Sequence, residues 1–369
     1  MLRNETSSDE DIRELRKGWT TGACAAAAAR AAYQALLTGH FPDPVEIILP
    51  KGQRPSFVLI ETGQSEGVAM AAIEKDAGDD PDVTHGAIIR AEVRLRKESG
   101  IGFHAGAGVG RVTKPGLPLK VGEPAINPGP RQIISENIQA VGENLGAPGH
   151  VEVTLSVDNG QELAKKTWNP RLGIVGGLSI LGTTGIVVPY SCSAWIASIH
   201  QAIDVGRADG LDHMAGCTGS TSEQAVAARY RFGDGNIIDM GDFAGGLLKY
   251  VRDHPIPKLT IAGGFAKLSK LAEGHMDLHS KRSQVDVAAL ASMVAELTDE
   301  EPLLSRVRTA ETAGQVLLAA EEAGLPLGNA VAAKAKAVCA GELRSAADVE
   351  VIVYNRQGQL VGEAPFESE

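Results

Sequence analysis

The pattern of hydrophobic and polar positions divides the chain into two parts with different expected secondary structure. In the first part, residues 44–98 contain short apolar runs bounded by Gly, Pro or Asp, most of them rich in Val and Ile. The runs are VEIILP, SFVLIE, VAMAAIEK and GAIIRAEVRLR. Runs of this composition and length are typical of β-strands.

An alanine-rich run, Ala23 to Ala32, comes before these strands and predicts a helix. Alanine has the highest helix propensity, and the threonines in the Thr-Thr-Gly segment at residues 20–22 are favoured at a helix N-cap. We expect the helix to end near Gly39 and to pack closely against its neighbours.

Helix and strand signals continue to alternate up to the middle of the chain. Residues 133–138 (IISENI) predict the start of a helix, and the later run VEVTLSV predicts a strand. Lys114-Pro115-Gly116 and residues 127–130 (NPGP) are predicted to be loops. Because helices and strands are mixed, the first part is predicted to be an α+β domain.

The second part repeats a different unit, in which an apolar stretch ends in glycine. The four stretches end at Gly177, Gly216, Gly241 and Gly264. Helical segments follow or separate them at about 193–206, 222–231, 243–252, 265–273 and 284–297. This alternation predicts a mainly parallel sheet with crossover helices. Ligands of such sheets bind outside the carboxyl ends of the strands, where these glycines fall.

The predicted fold is therefore a two-domain α/β protein. An N-terminal α+β domain spans residues 1–169, and an α/β domain with a mainly parallel sheet spans residues 170–369, with the boundary near Asn169-Pro170. The uncharged stretch from Leu172 to Gln201 is long enough to span a membrane, but it holds glycines and a proline through its centre. Irregular backbone cannot face lipid, so we interpret the stretch as a buried strand, a glycine turn and a second strand of a folded domain.

Composition narrows the possible partners and the cellular compartment. The net charge of −11 argues against a nucleic acid or an anionic membrane surface as partner. The cysteines do not form a CxxC pair, so neither a zinc site nor a disulfide framework is expected. The polar N-terminal segment has no apolar signal-peptide region, which predicts a cytoplasmic protein. The oligomeric state stays open, with a homo-oligomer among the possibilities.

The glycine-rich segment from Gly176 to Gly185 is a candidate ligand loop. Gly177 and Gly182 have the spacing of a phosphate-binding loop, but Thr183 stands where the phosphate-binding lysine belongs. ATP hydrolysis is therefore not expected. The loop could offer backbone N–H groups and two hydroxyls to a polar or anionic group, and a tight structural turn is the equal alternative.

Two other segments carry candidate chemistry. The glycines at 102–110 do not form a dinucleotide-binding fingerprint, because the residues that follow predict extended chain rather than a helix. Asp79, Asp80 and Asp82 form an acidic cluster that could stabilise a cation such as a sulfonium. The spacing matches no specific metal site, and a solvated acidic turn is the other interpretation.

Basic and imidazole side chains complete the set of candidates. Lys114, Lys120, Asn127 and Arg131 lie in one stretch punctuated by proline and glycine, and they predict a local basic patch suited to carboxylates. Scattered surface charge is the other interpretation. Further on, Lys267 and Lys270 share a predicted helix face. His275 and His279 have a metal-pair spacing, but Gly274 disfavours a helix there and no third ligand is evident.

Five segments, in this order, resemble the signature blocks of the CbiD family of the anaerobic cobalamin pathway. They are RKGWTTGACAAAAA, DDPDVTHG, GAGVGRVTKPGL, PAINPGPR and GGLSILGTTGI. The resemblance runs from about Leu15 to about Ser280 and is looser beyond. The chain departs from the family pattern at residues 240–242, 263–267 and 278–280.

The resemblance implies a particular reaction. S-adenosylmethionine would donate a methyl group to C1 of cobalt-precorrin-5B, giving cobalt-precorrin-6A and S-adenosylhomocysteine. The cobalt would arrive with the tetrapyrrole substrate, so a metal bound by the protein is not required. Methyl transfer mainly needs alignment of the two reactants, which can supply roughly 7–11 kcal/mol of barrier reduction.

The resemblance also suggests roles for the candidate residues. Lys114, Lys120, Asn127 and Arg131 would bind the substrate. The donor would be bound by Gly176, Gly177, Gly182, Thr183, Thr184, Gly185, Asp239, Asp242, Gly263 and Gly264, with Asp239 or Asp242 holding the ribose. The catalytic group is unknown, and its candidates are Thr21, Asp80, Asp82 and His104. A nicotinamide-dependent corrinoid reductase and a non-catalytic tetrapyrrole-binding protein are the alternatives.

Overall fold

The computed structural model describes residues 15–367, so the polar N-terminal segment on which the cytoplasmic prediction depends lies mostly outside the described residues. The chain divides into two compact units that interleave along the sequence. Unit 1 holds residues up to 111, 123–167 and 176–191, and unit 2 holds residues 112–122, 168–175 and those from 192 onward. Residues 176–191 are thus grouped with unit 1, although they follow the boundary that we predicted.

Up to residue 191 the elements follow in this order: β1 (Gly18–Trp19), α1 (Thr21–Thr38), β2 (Val45–Glu46), β3 (Ser56–Phe57), β4 (Glu61–Ser65), β5 (Val68–Glu74), β6 (Ile88–Leu95), β7 (Ile101–Ala105), β8 (Arg111–Val112), α2 (Pro128–Leu145), β9 (Val151–Val157), α3 (Gly160–Ala164), β10 (Ile174–Val175) and β11 (Ile186–Val187). The main sheet of unit 1 has the strand order β4-β5-β6-β9-β7. All of its pairs are antiparallel except β7 with β9.

Helix α1 lies in the core of unit 1, as its composition predicts. The Thr20 hydroxyl accepts a hydrogen bond from the Ala23 N–H at 3.2 Å, and Gly39 ends the helix in the left-handed conformation at φ 78°. Residues 23–29 are fully buried. Alanine methyl groups allow close approach, so α1 packs against α2 and against strands β5 and β6. The predicted caps and burial of this helix are confirmed.

Two local predictions for unit 1 are wrong, each for a local reason. The NPGP segment is not a loop, because α2 begins at Pro128. Proline is favoured in the first turn of a helix, where its missing N–H leaves no hydrogen bond unmade. The runs VEIILP and SFVLIE form only the two-residue strands β2 and β3. The extended chain predicted after the glycines at 102–110 is confirmed, since strand β8 follows them and not a helix.

From residue 192 the elements are α4 (Cys192–Ala208), β12 (His213–Cys217), α5 (Ser220–Tyr230), a 3-10 helix (Asp234–Asn236), β13 (Ile237–Asp239), α6 (Ala244–Asp253), β14 (Lys258–Gly264), α7 (Phe265–Ala272), α8 (Val287–Ala295), α9 (Glu301–Arg308), α10 (Ala313–Glu322), α11 (Leu327–Leu343), β15 (Asp348–Tyr354) and β16 (Leu360–Ala364). The sheet order in unit 2 is β13-β12-β14-β15-β16. Strands β12 to β15 are parallel, and β16 is antiparallel.

The predicted mixed α/β class with a mainly parallel second sheet is confirmed. Helices α4 to α8 coincide with the predicted crossover segments. The stretch ending at Gly177 is the exception: it forms only the two-residue strand β10, which is not part of the unit 2 sheet. The uncharged stretch from Leu172 to Gln201 contains β10, a glycine-rich connection, β11 and the start of α4. Within residues 15–367, no helix combines the length and the apolar character needed to cross a membrane.

Candidate active site

The carboxyl ends of β12, β13 and β14 meet at one edge of the unit 2 sheet, here called the carboxyl edge. It comprises Thr218 and Gly219 after β12, Asp239 at the end of β13 with residues 240–242 after it, and Gly263-Gly264 at the end of β14. Cys217 is paired in register with Asp239 on one side and with Ala262 on the other. Strand pairing therefore fixes the mutual positions of these residues.

Two glycines allow the backbone to take its course at this edge. A Cβ at Gly263 would lie 2.6 Å from the Thr218 hydroxyl oxygen, so only glycine fits between the ends of β14 and β12. Gly241 has φ +54°, and its N–H donates to Oδ1 of Asp239 at 3.2 Å. The turn after β13 therefore folds back onto the side chain that ends the strand.

The Asp239 carboxyl is partly buried and lies near other charges. Burial raises its pKa, and the neighbouring Glu223 carboxylate raises it further. Glu223 is in the first turn of α5 and forms a bidentate ion pair with Arg171, with N–O distances of 2.7 and 3.0 Å. Arg171 thus neutralises Glu223 and limits the rise in the pKa of Asp239.

Asp242 has a different environment from Asp239. It forms an ion pair of 3.0 Å with Lys267, whose ammonium group also donates to the Thr218 carbonyl at 2.8 Å. Lys267 therefore ties the end of β12 to the turn after β13. Lys270, on the same helix, is buried and donates to the Leu278 carbonyl at 2.8 Å, so the two lysines serve separate contacts.

Sequence reasoning missed the turn between β12 and α5. We expected the strand to end at Gly216, but it continues to Cys217, and Thr218-Gly219 form the turn. Gly219 is the N-cap of α5, and apart from its chain neighbours no residue has an atom within 4 Å of the position where its Cβ would be. The backbone at the start of α5 is thus open to a ligand, and the strand–Thr-Gly–helix order was the available signal.

The indole of Trp195 also lies at the carboxyl edge. Its Nε1–H donates to the Asp239 carbonyl at 3.0 Å. Its ring centroid lies 6.2 Å from that of Trp168 and 6.2 Å from that of Phe243. This cluster could not be predicted from the sequence, since the three aromatic residues come from separate segments.

The predicted ligand loop, Gly176 to Gly185, lies in unit 1. Its Leu181 N–H donates to the Thr21 hydroxyl at 2.9 Å, and the Thr20 N–H donates to the Gly185 carbonyl at 3.0 Å. Gly182 has φ +112°, and an added Cβ would overlap the Thr20 side chain. The loop thus packs against the start of α1, and this packing alone requires glycine there.

The other loop residues have the following positions. Gly176 is exposed at φ +88°, and Gly177 is buried against the backbone of Gly108. Thr183 is exposed, and the Thr184 hydroxyl accepts from the Ile186 N–H at 3.3 Å. The predicted donor-binding role of the loop stays a prediction.

The acidic cluster makes internal contacts in unit 1. Oδ1 of Asp80 accepts from the Tyr190 N–H at 2.8 Å. Asp82 pairs with Lys75 at 2.7 Å, and the Lys75 side chain is only 1% exposed. Burial alone would raise the pKa of Asp82, but Lys75 and hydrogen bonds from Thr84 bring it below its ordinary value. Asp82 is therefore the counter-ion of a buried ammonium group.

The remaining catalytic candidate, His104, is exposed on β7, and its Nε2 lies 2.5 Å from Oε2 of Glu152. The four predicted substrate-binding residues are divided between the units. Lys114 and Lys120 belong to unit 2, and Asn127 and Arg131 belong to unit 1.

Each of these four residues has its own setting. Lys114 pairs with Asp209 at 2.7 Å, and Lys120 is exposed. Asn127 precedes α2, but its side chain does not cap the helix. Nε of Arg131 donates to the Ile126 carbonyl at 2.8 Å, and its guanidinium lies 5.6 Å from the Phe103 ring centroid. Their substrate-binding role stays a prediction.

The cysteines and histidines do not form a metal cluster in the described part of the chain. Across residues 15–367, no three His, Cys, Asp or Glu side chains are grouped so that they could hold a metal ion. Nδ1 of His279 accepts from the Lys281 N–H at 3.1 Å. The described cysteines are free thiols.

The parallel sheet with crossover helices makes unit 2 an α/β fold, and ligands of such folds bind outside the carboxyl ends of the strands. Two family models match the chain: CbiD over residues 8–189 and the CbiD C-terminal domain over residues 277–365. The chain belongs to the CbiD family.

Relatives that carry an activity in their names match over almost the full length. The cobalt-precorrin-5B C(1)-methyltransferase of Rhodospirillum rubrum is 56% identical, covering 96% of this chain and 98% of the relative. The protein of the same name from Brucella anthropi is 54% identical, covering 96% and 97%. A crystal structure of the cobalamin biosynthesis protein CbiD from Archaeoglobus fulgidus is 31% identical, covers 73% of this chain and 83% of that chain, and has a TM-score of 0.39.

Proposed function

We propose that this protein transfers the methyl group of S-adenosylmethionine to C1 of cobalt-precorrin-5B. The products are cobalt-precorrin-6A and S-adenosylhomocysteine. The observation that carries the proposal is the 56% and 54% identity, over at least 96% of the chain, to proteins named for this reaction.

The donor nucleoside is proposed to bind at the carboxyl edge of unit 2, with the Asp239 carboxylate accepting hydrogen bonds from the ribose hydroxyls. Two observations support Asp239 rather than Asp242. Asp239 ends a parallel strand, which is where acids hold ribose in nucleotide folds. Asp242 already forms an ion pair with Lys267. Gly264 has open space where a Cβ would lie, so the backbone there can pass close to a ligand.

In unit 1, Asn127 and Arg131 are proposed to bind carboxylates of the macrocycle, whose cobalt arrives with it. Arginine is suited to this task, since its guanidinium binds carboxylates through two parallel hydrogen bonds. The Arg131 guanidinium is held by the Ile126 carbonyl and by Glu123 at 3.1 Å. A guanidinium that is already oriented loses little side-chain entropy when a carboxylate binds.

The chemical step needs two aligned reactants. C1 of the macrocycle attacks the methyl carbon, the new C–C bond forms as the S–C bond breaks, and the electron pair of the broken bond goes to sulfur. The sulfonium thereby becomes the neutral thioether of S-adenosylhomocysteine. Alignment can contribute roughly 7–11 kcal/mol to such a displacement, and no covalent intermediate with the protein is involved.

Calorimetric titration with S-adenosylhomocysteine, with and without a cobalt-corrinoid, tests the donor site. We expect binding by the unaltered protein and a 10- to 100-fold higher Kd for Asp239→Asn, because a charged hydrogen bond contributes about 1.5–3 kcal/mol. Glu301→Gln is the matched control, since its side chain on α9 is 71% exposed. Turnover of cobalt-precorrin-5B then tests the reaction.

The alternatives give other results in the same experiment. Binding of a reduced nicotinamide cofactor in place of S-adenosylhomocysteine would point to the reductase. Binding of the corrinoid without any cosubstrate would point to a carrier. The cytoplasmic location remains a prediction, and cell fractionation tests it.

A further inference from the structure

The carboxyl edge of unit 2 carries an aromatic cluster that the proposed ribose contact leaves unexplained. The chain has few aromatic residues, with 3 Trp, 5 Tyr and 7 Phe in 369. Yet Trp168, Trp195 and Phe243 meet there, with Trp195 between the other two at ring-centroid distances of 6.2 Å. Such a concentration in an aliphatic protein calls for a reason.

The Trp195 ring is held in one orientation. Its Nε1–H donates to the Asp239 carbonyl at 3.0 Å, and the edge contact with Trp168 has an interplanar angle of 84°. Gly241 packs against the ring, since a Cβ on it would lie 3.1 Å from Cζ2 of the indole. Nevertheless, Trp195 is 42% exposed. A fixed and exposed indole is prepared to stack on a flat group.

We propose that Trp195 is the adenine-stacking residue of the donor site, with Asp239 holding the adjoining ribose. This inference rests on the proposed function. Adenine is bonded directly to the ribose, so the groups that bind them must lie close together. Trp195 and Asp239 meet this requirement, since the Trp195 indole donates a hydrogen bond to the Asp239 carbonyl. Neighbouring parts of one nucleoside thus meet neighbouring residues of the protein. An indole and a base attract through their ring faces, without a need for base-specific hydrogen bonds.

Substitutions at Trp195 separate stacking from a structural role. Stacking on an aromatic side chain alters base affinity by a factor of about 10 to 100. We expect Trp195→Leu to raise the Kd of both S-adenosylhomocysteine and adenosine by about this factor. Trp195→Phe retains an aromatic face but loses the N–H donor, so it should keep most of the affinity. Trp19→Phe, in unit 1, is the matched control and should change neither Kd.

A fluorescence measurement on folded protein covers the case in which Trp195→Leu does not fold. The double variant Trp19→Phe with Trp168→Phe leaves Trp195 as the single tryptophan of the chain. We expect adenosine to quench and shift its emission with the Kd found by calorimetry.

The outcomes distinguish the inference from the function on which it rests. If the unaltered protein binds S-adenosylhomocysteine while Trp195→Leu binds it equally well, the stacking assignment is wrong and the proposed function stands. Equal losses in the Leu and Phe variants would show a structural role and overturn the stacking assignment. So would weaker corrinoid binding with unchanged adenosine binding. If the unaltered protein binds no S-adenosylhomocysteine with or without corrinoid, both proposals fall.

Discussion

The ion pair between Arg171 and Glu223 offers a quantitative test of how the carboxyl edge is built. Its two N–O distances are 3.0 and 2.7 Å, and the side chains are only 28% and 15% exposed. Arg171→Met leaves the Glu223 carboxylate partly buried and near Asp239, with its strongest partner removed. Breaking a fully buried pair costs about 3–5 kcal/mol, and partial exposure lowers this to about 1–3 kcal/mol.

The stability assay is urea unfolding followed by tryptophan emission, since Trp168 and Trp195 both lie in unit 2. We expect Arg171→Met to lower the free energy of unfolding by about 1–3 kcal/mol. Adding Glu223→Gln should restore part of the loss, because it removes the unpaired charge. Arg308→Met is the control, since that ion pair with Glu301 is exposed. A double variant no more stable than Arg171→Met would refute this account of the pair.

The same pair controls the charge on Asp239. Burial and Glu223 raise the pKa of Asp239, while Arg171 lowers it. If the ionised carboxylate holds the ribose, affinity for S-adenosylhomocysteine falls as pH drops through this pKa. The midpoint should lie higher in Arg171→Met and lower in Glu223→Gln than in the unaltered protein. Titrations at about pH 4 to 8 measure it, and identical midpoints in the two variants would exclude electrostatic coupling.

Two further predictions concern stability. Gly182→Ala should lower the free energy of unfolding by more than about 1 kcal/mol, because φ is +112° and the new methyl would overlap Thr20. In urea unfolding, Gly39→Ala, which has open space, should cost less. Burial lowers the pKa of His213 to about 4, and Lys258 contributes to the shift. The neutral ring's contribution to the free energy of unfolding is therefore complete above pH 6.5 and is lost as the pH falls toward 4. Because the ring is partly exposed, we expect a loss of about 1–2 kcal/mol, and His213→Gln should weaken this pH dependence in the same assay.

Much of the fold could be predicted because its signals are local in sequence. The limits of α1 follow from Thr20 and Gly39, which cap the helix by contacts within a few residues. The crossover pattern of unit 2 follows from apolar runs and amphipathic segments that each lie within one element. Pro128 shows where local signals mislead, since proline fits the first turn of a helix as well as a loop.

The candidate site could be predicted only in part, because most of its contacts join distant segments. Asp239 could be proposed from the sequence, because it lies at the end of a predicted strand and such strand ends meet at one edge of a parallel sheet. The partners Arg171 and Glu223 are 52 residues apart, and the indole of Trp195 reaches a carbonyl 44 residues away. No spacing rule links such pairs, so their proximity depends on how the elements pack.

The glycines show why a motif alone is weak support for a ligand site. Gly182 and Gly263 both stand in glycine-rich segments that look suited to a nucleotide. In the structure, Gly182 makes room for Thr20 in unit 1, and Gly263 makes room for Thr218 in unit 2. Packing accounts for both glycines without a ligand. A donor site at the carboxyl edge is therefore supported by groups that packing does not explain, above all the exposed and fixed indole of Trp195 beside Asp239.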